Sequence, residues 1–312
     1  MSTQIDNIQP EENKKSFKLI RKRDYRTRFE LLDFFILVFL LFFATAIILP
    51  FLSVIAASFS TQREYLSSPL LLFPREPILA NYEMLFIDGR IWVGYRTTLL
   101  ILAIGVPFNM FLTTSVAYAL SRPRFPGKKM FLYGILFTML FSGGIVPLYL
   151  LMLELRLVNT IWSVILAYGV NTFYMIIMRA YFTNLPDSLM ESAKLDGASE
   201  WRILFQIVLP LSMPIIATLI LFFSVDRWNE WFNAMVFIRS NNFVPLQLVL
   251  RSMVIDSTID SSMEARQIVG EVVFSEGMKM AAVVVTMLPI MCFYPFLQKH
   301  FVKGIMIGAI KA

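Results

Sequence analysis

The chain has 312 residues, 57% of them hydrophobic and 16% charged, with 29 Phe and 18 Met, which is too apolar for an ordinary soluble domain of this size. Its net charge of +6 sits in short segments flanking apolar runs, not on one polar face interleaved with stacking aromatics, and this argues against a nucleic-acid-binding role. One cysteine (Cys292), one histidine (His300) and no G-x-x-x-x-G-K-S/T phosphate loop exclude an intrachain disulfide, a His/Cys metal site and nucleotide hydrolysis by this chain.

Apolar runs of about 20 residues are what a helix needs to cross roughly 30 Å of hydrocarbon, so the chain reads as an all-α membrane protein. Residues 1–30 form an amino tail with eight basic and five acidic residues before any apolar run, unlike a cleavable signal peptide. Phe17, Leu19 and Ile20 among its lysines make either a short interfacial helix or a solvated tail. Residues 31–312 are expected to hold six spans, at about 34–58, 97–121, 130–152, 157–180, 211–238 and 280–298. Residues 57–96, between the first two, carry Pro69, Pro74 and Pro77 and a small amphipathic helix before the second span. The next loop, Arg122–Lys129, has four basic residues and no acid. With an even number of spans both termini share one side. That side collects 18 lysines and arginines against 9 in the opposite loops, so both termini are expected to be cytoplasmic. In the third span, Gly143, Gly144 and Pro147 are a candidate helix break lining a cavity, or else a place of tight helix packing.

The loop 185–210 after the fourth span holds the most information. Ser188 and Glu191 have capping-box spacing, Gly197 suits the left-handed position that ends a helix, and a second helix can start near Ser199. Pro210 and Pro214 then oblige the chain to turn into the fifth span. Leu189, Met190, Leu195, Trp201 and Phe205 are expected at the surface of this loop, where apolar groups call for a partner.

Glu191, Ala193, Gly197, Ile207, Leu209 and Pro210 resemble, in type and in spacing, the EAA motif of permeases in binding-protein-dependent ABC importers. Ser192 departs from it, one small residue replacing another. The stretches Phe141–Pro147, Asp196–Glu200, Trp228–Trp231 and Lys303–Lys311 are similar to the carbohydrate-uptake, maltose-permease-like branch, to the second permease of systems for oligosaccharides or polysaccharide fragments. The likeness covers residues 25–312. It implies a type I ABC importer permease fold in the bacterial cytoplasmic membrane and a coupling loop made of Glu191, Ser192, Ala193, Asp196, Gly197, Leu209 and Pro210. It also implies a second permease, two ATPase subunits carrying ATP and Mg, an extracellular sugar-binding protein and a sugar or oligosaccharide substrate. No catalytic residue and no metal or cofactor site is expected on this chain.

The fifth span carries Asp226, Arg227, Trp228, Asn229, Glu230, Trp231 and Asn233 near mid-membrane. Ionisable groups at that depth are costly unless paired or wet, and Arg227 and Glu230 have the spacing to pair. Tryptophan beside amides and carboxylates suits sugar binding, and the same residues can instead tie the helix to a neighbouring permease. Loop 239–279, by resemblance, reaches toward the binding protein, or it is a solvated connector. A proton- or sodium-coupled transporter would use Asp226 or Glu230 as its titrating group, but the EAA spacing and the lack of a second buried carboxylate or histidine cluster oppose it. A membrane-embedded enzyme is opposed by the absence of any catalytic constellation.

Overall fold

The computed structural model describes residues 31–68, 70–87, 89–255 and 274–309, and side chains from Leu32 to Cys292 among them. The amino tail, Pro69, the loop residues Asp256, Asp260, Glu264 and Arg266, and the side chains of His300 and Lys303–Lys311 lie outside the described residues. All regular structure among the described residues is helical.

The chain divides into two units, residues 1–49 and 50–312. The first contains the start of α1 (Leu31–Ser58), where Leu32, Phe34, Phe35, Phe39 and Phe42 are all exposed. A helix apolar on every side has no inner face to hide and belongs in lipid or against another chain.

In the second unit, α2 (Gln62–Ser67) and α3 (Ala80–Ile87) precede a long α4 (Arg90–Ser121). Hydrogen bonding carries α4 further toward the amino end than the apolar run suggested, because a helix continues through polar residues once nucleated. At 32 residues it measures about 48 Å, longer than the hydrocarbon is thick. It is the central post. Its later half packs through Val106, Met110, Ala117 and Leu120 against α8 (Thr172–Thr183) and α12 (Met213–Trp228). Its beginning packs against α14 (Leu246–Ile255), where a Cβ on Gly94 would meet the Leu246 Cα at 3.0 Å. Thr98 Oγ1 accepts the Leu246 N–H at 2.9 Å, so α4 supplies a cap for α14. The last helix, α15 (Ser275–Ala309), joins α3, α12 and α14 through Met278, Ala281 and Ala282.

The third, fourth and fifth expected spans are not straight rods. α5 (Lys128–Leu140) and α6 (Ile145–Glu154) meet at 114°. The break falls at Phe141–Gly144, where Gly144 has φ 87° and ψ 170°, a region open essentially to glycine alone. Pro147 lies in the first turn of α6, where a missing N–H costs nothing. α7 (Ile161–Ala167) and α8 are bent by 57°, with Asn171 capping α8 by accepting from the N–H groups of Phe173 and Tyr174. The helical stretch Glu200–Leu211 meets α12 at 87° around Ser212, with Pro210 and Pro214 both near helix starts. Among the described residues, three helices are long and apolar enough to cross a membrane alone, and up to six spans result if each bent pair is one.

Candidate coupling loop and polar pocket

α9 (Asp187–Leu195) starts after Pro186, whose extended backbone makes it the cap residue. Ser188 therefore lies inside the first turn, and its carbonyl accepts from the Ser192 hydroxyl at 2.9 Å, so the expected capping box does not form. The carboxyl end behaves as the sequence suggests. Gly197 has φ 76°, the Ala198 N–H donates to Ala193 O at 2.9 Å and the Gly197 N–H to Lys194 O at 3.0 Å, which together make a Schellman closure. Ser199 Oγ accepts the Arg202 N–H at 3.3 Å and opens α10 (Glu200–Ile203). A π-helical stretch, Leu204–Val208, follows, and then α11 (Leu209–Leu211).

This loop has two faces. Met190, Ile203, Leu204 and Val208 are buried against α4 and α8, so Met190 belongs to the inner face and not to the exposed set expected for it. Glu191, Ser192, Asp196 and Gly197 are exposed, as are Leu195 at 89%, Trp201 and Phe205. Ala193 and Leu209 are half-buried and Pro210 is exposed. Trp201 stacks between Phe111 of α4 and Phe205. Glu200 accepts from Lys194 Nζ at 2.5 Å and from the Tyr118 hydroxyl at 2.6 Å, and these bonds, the lysine's first, hold its carboxyl below the usual carboxylate range. A cavity of about 560 Å³ lies beside them, walled by Tyr118, Arg122, Phe125, Asp187, Glu191 and Trp201 among others.

The second site gathers around Arg227, a guanidinium only 3% exposed. Its Nη1 donates to Val164 O at 3.0 Å, and its Nη2 donates to Ile165 O at 3.2 Å and Tyr168 O at 2.9 Å. These carbonyls lie at or just past the end of α7, where a helix presents negative partial charge, and that of Tyr168 also accepts from Asn109, so the arginine is a side-chain cap for the α7–α8 break. Glu230 stands 3.6 Å from Nη1 and accepts from Asn233, from its backbone N–H and its amide at 3.0 Å. The pair lies across the end of α12, with Glu230 beyond the helix, and not along one helical face. Asp226 accepts from the Tyr174 hydroxyl at 2.9 Å. Asp226, Arg227, Glu230 and Asn233 line a polar cavity of about 260 Å³ with Tyr168, Asn171 and Phe223.

The rest of the expected set is elsewhere. Trp228 turns into the core, edge-on to Tyr95. Trp231, ahead of α13 (Phe232–Phe237), lies 4.1 Å beneath the Arg251 guanidinium. Asn229 binds its own helix through Val225 O and accepts from Gln247 at 3.4 Å. Sequence reasoning missed Asn109, a fully buried amide on α4 that donates to Tyr168 O at 3.0 Å and Gly169 O at 2.8 Å. Its signal was there, a lone amide amid an apolar run, where an unpaired polar group is costly. Tyr168 and Asn171 gave no signal, since their place in the pocket depends on the bend between α7 and α8.

Among known proteins, the chain is 39% identical over 281 residues to the polygalacturonan/rhamnogalacturonan transport system permease protein YtcP of Bacillus subtilis (strain 168), covering 90% of this chain and 98% of that one. It is 39% identical over 264 residues to protein LplC of the same organism, covering 85% and 89%. A chain of the crystal structure of a bacterial ABC transporter involved in the import of the acidic polysaccharide alginate superposes with a TM-score of 0.84 at 29% identity, covering 89% of this chain and 99% of that chain. Residues 25–307, nearly the whole length, match one family, and the chain belongs to the binding-protein-dependent transport system inner membrane components.

Proposed function

We propose that this chain is one of two permeases that together form the translocation path of an ATP-driven importer for an oligosaccharide or polysaccharide fragment. The observation that carries the reading is the family match over residues 25–307, joined to a loop whose first helix ends in a Schellman closure and which exposes Leu195, Trp201 and Phe205. In this reading each bent helix pair is one span, giving six, and the bias in lysine and arginine puts both termini in the cytoplasm. The loop then faces two ATPase subunits, which hold ATP and Mg, and Glu191, Ser192, Ala193, Asp196, Gly197, Leu209 and Pro210 make the docking element. An extracellular binding protein delivers the sugar, and closure of the ATPase pair pushes on the loop to switch the path between its two openings. Nucleotide drives that change only by favouring one state over the other.

The Arg227 cavity supplies hydrogen-bonding groups suited to sugar hydroxyls, with Asp226, Glu230, Asn171 and Asn233 at its wall. Relatives named for polygalacturonan, rhamnogalacturonan and alginate support a polysaccharide-derived substrate. The test is ATPase activity of the complex reconstituted with its sister permease and ATPase in liposomes, with and without substrate-loaded binding protein. Loaded binding protein should stimulate hydrolysis, and Gly197→Asp in an assembled complex should abolish the stimulation. Uptake without any ATPase, driven by a proton gradient, would instead make Asp226 and Glu230 the working groups of a secondary transporter.

A further inference from the structure

The loop between the fourth and fifth spans has a weak point. α9 and α10 join through a turn at Gly197, which has no side chain and whose Cβ position meets nothing within 4 Å, so only the small side chains of Ala193 and Ala198 beside it pack on the core. Backbone bonds close the end of α9 but do not tie it to α10. Apolar contacts of Met190, Ile203 and Leu204 resist separation from α4, yet such contacts are non-directional and permit sliding. Short charge-assisted hydrogen bonds are directional.

We propose that Glu200 is a positioning residue that locks α9, α10 and α4 into one body, so that a push on the loop moves α4 instead of folding the turn at Gly197. This rests on the importer reading above. One oxygen of Glu200 takes the Lys194 ammonium from the last turn of α9, and the other takes the Tyr118 hydroxyl from the last turn of α4. Tyr118 is itself held, its ring edge-on to Phe182 and covered by the Arg122 guanidinium at 4.6 Å. The carboxylate thus bonds three elements at one point, which no apolar side chain can do. The other end of the path is on the same helix. Asn109 of α4 holds the Tyr168 carbonyl that Arg227 also holds, so a shift of α4 reaches the wall of the polar cavity directly.

The experiment uses the complete complex in liposomes and reads the ratio of binding-protein-stimulated to basal ATP hydrolysis for Tyr118→Phe, Glu200→Ala and the double variant. Each single variant should lower the ratio about tenfold, the scale of one charge-assisted hydrogen bond. The double variant should fall no further than the worse single, because both remove the same bond. Glu200→Gln, which keeps an acceptor for Tyr118, should recover part of the loss. A purely structural role would reduce the amount of assembled complex and leave the ratio alone. Ratios within twofold of native in both singles, or a double-variant loss equal to the product of the two, would overturn the proposal. If Glu200→Ala does not assemble, Tyr118→Phe, which removes one hydroxyl, decides alone. A native complex without stimulation takes the importer reading and this proposal down together, whereas a stimulated native complex with indifferent variants overturns this proposal alone.

Discussion

Arg227 illustrates how a single buried side chain carries structure. Its two terminal nitrogens satisfy three carbonyls at the end of α7 while Glu230 balances its charge. Replacing it by Met keeps the volume and removes the donors, leaving the Glu230 carboxylate without its counter-charge and the Val164 and Ile165 carbonyls without the arginine's hydrogen bonds. The expected cost is about 3–5 kcal/mol, visible as a large drop in the melting temperature of the purified complex, with Arg227→Lys losing less. Glu200 makes a smaller and pH-dependent contribution. Its folded-state pKa lies below the ordinary 4.5, so its stabilisation is full above that value and fades as pH falls through the lowered one. Because both partners of the Lys194 bridge are about half exposed, the effect should stay under about 1 kcal/mol. The stability gap between native protein and Glu200→Gln should be constant above the ordinary carboxylate range and close as pH falls through the lowered pKa.

Elements in this protein are shaped by their breaks. Gly143 and Gly144 both face open space, but only Gly144 adopts positive φ. Gly144→Ala is therefore expected to cost about 1–3 kcal/mol from backbone strain alone, while Gly143→Ala should be close to neutral. Equal melting temperatures for the two variants would show that the turn between α5 and α6 is adaptable and the 114° bend unforced. The bend between α7 and α8 has a different origin. No glycine with positive φ sits there, and the turn is held from outside by Arg227 and Asn109, with Asn171 capping the second helix. An external clamp of this kind leaves little trace in the segment it bends beyond Gly169 and Asn171, which is why a mostly apolar stretch read as one span.

Across the whole molecule, apolar surface is abundant. Phe131, Phe137, Leu140 and Phe141 around the first bend, and Leu150, Leu151 and Leu153 on α6, are all exposed in the isolated chain. Such an expanse is stable only against lipid or a second chain. The topology built on the basic-residue bias has a direct check in a Cys292→Ser background. A cysteine replacing Arg124 should react with an impermeant thiol reagent only after the cytoplasmic side is opened, and one replacing Ser240 should react from outside intact spheroplasts. The opposite pattern would invert the orientation.

The helical class, the apolar runs, the turn at Gly197, the start of a helix after Ser199 and the bend beside Pro210 were legible in the chain, because each depends on local sterics or on a run of apolar residues against lipid. The EAA spacing was legible for the same reason, as a pattern contained in one loop. Tertiary structure alone decided that Met190 faces inward, that Pro186 displaces Ser188 as the cap, and that Trp228 and Trp231 leave the pocket while Tyr168 and Asn171 enter it. Those outcomes depend on which groups from distant segments meet, and Arg227 with Val164 or Tyr118 with Glu200 are separated by more than sixty residues. Local propensity carries no information about such meetings. The packing of α8 and α12 around α4 creates them.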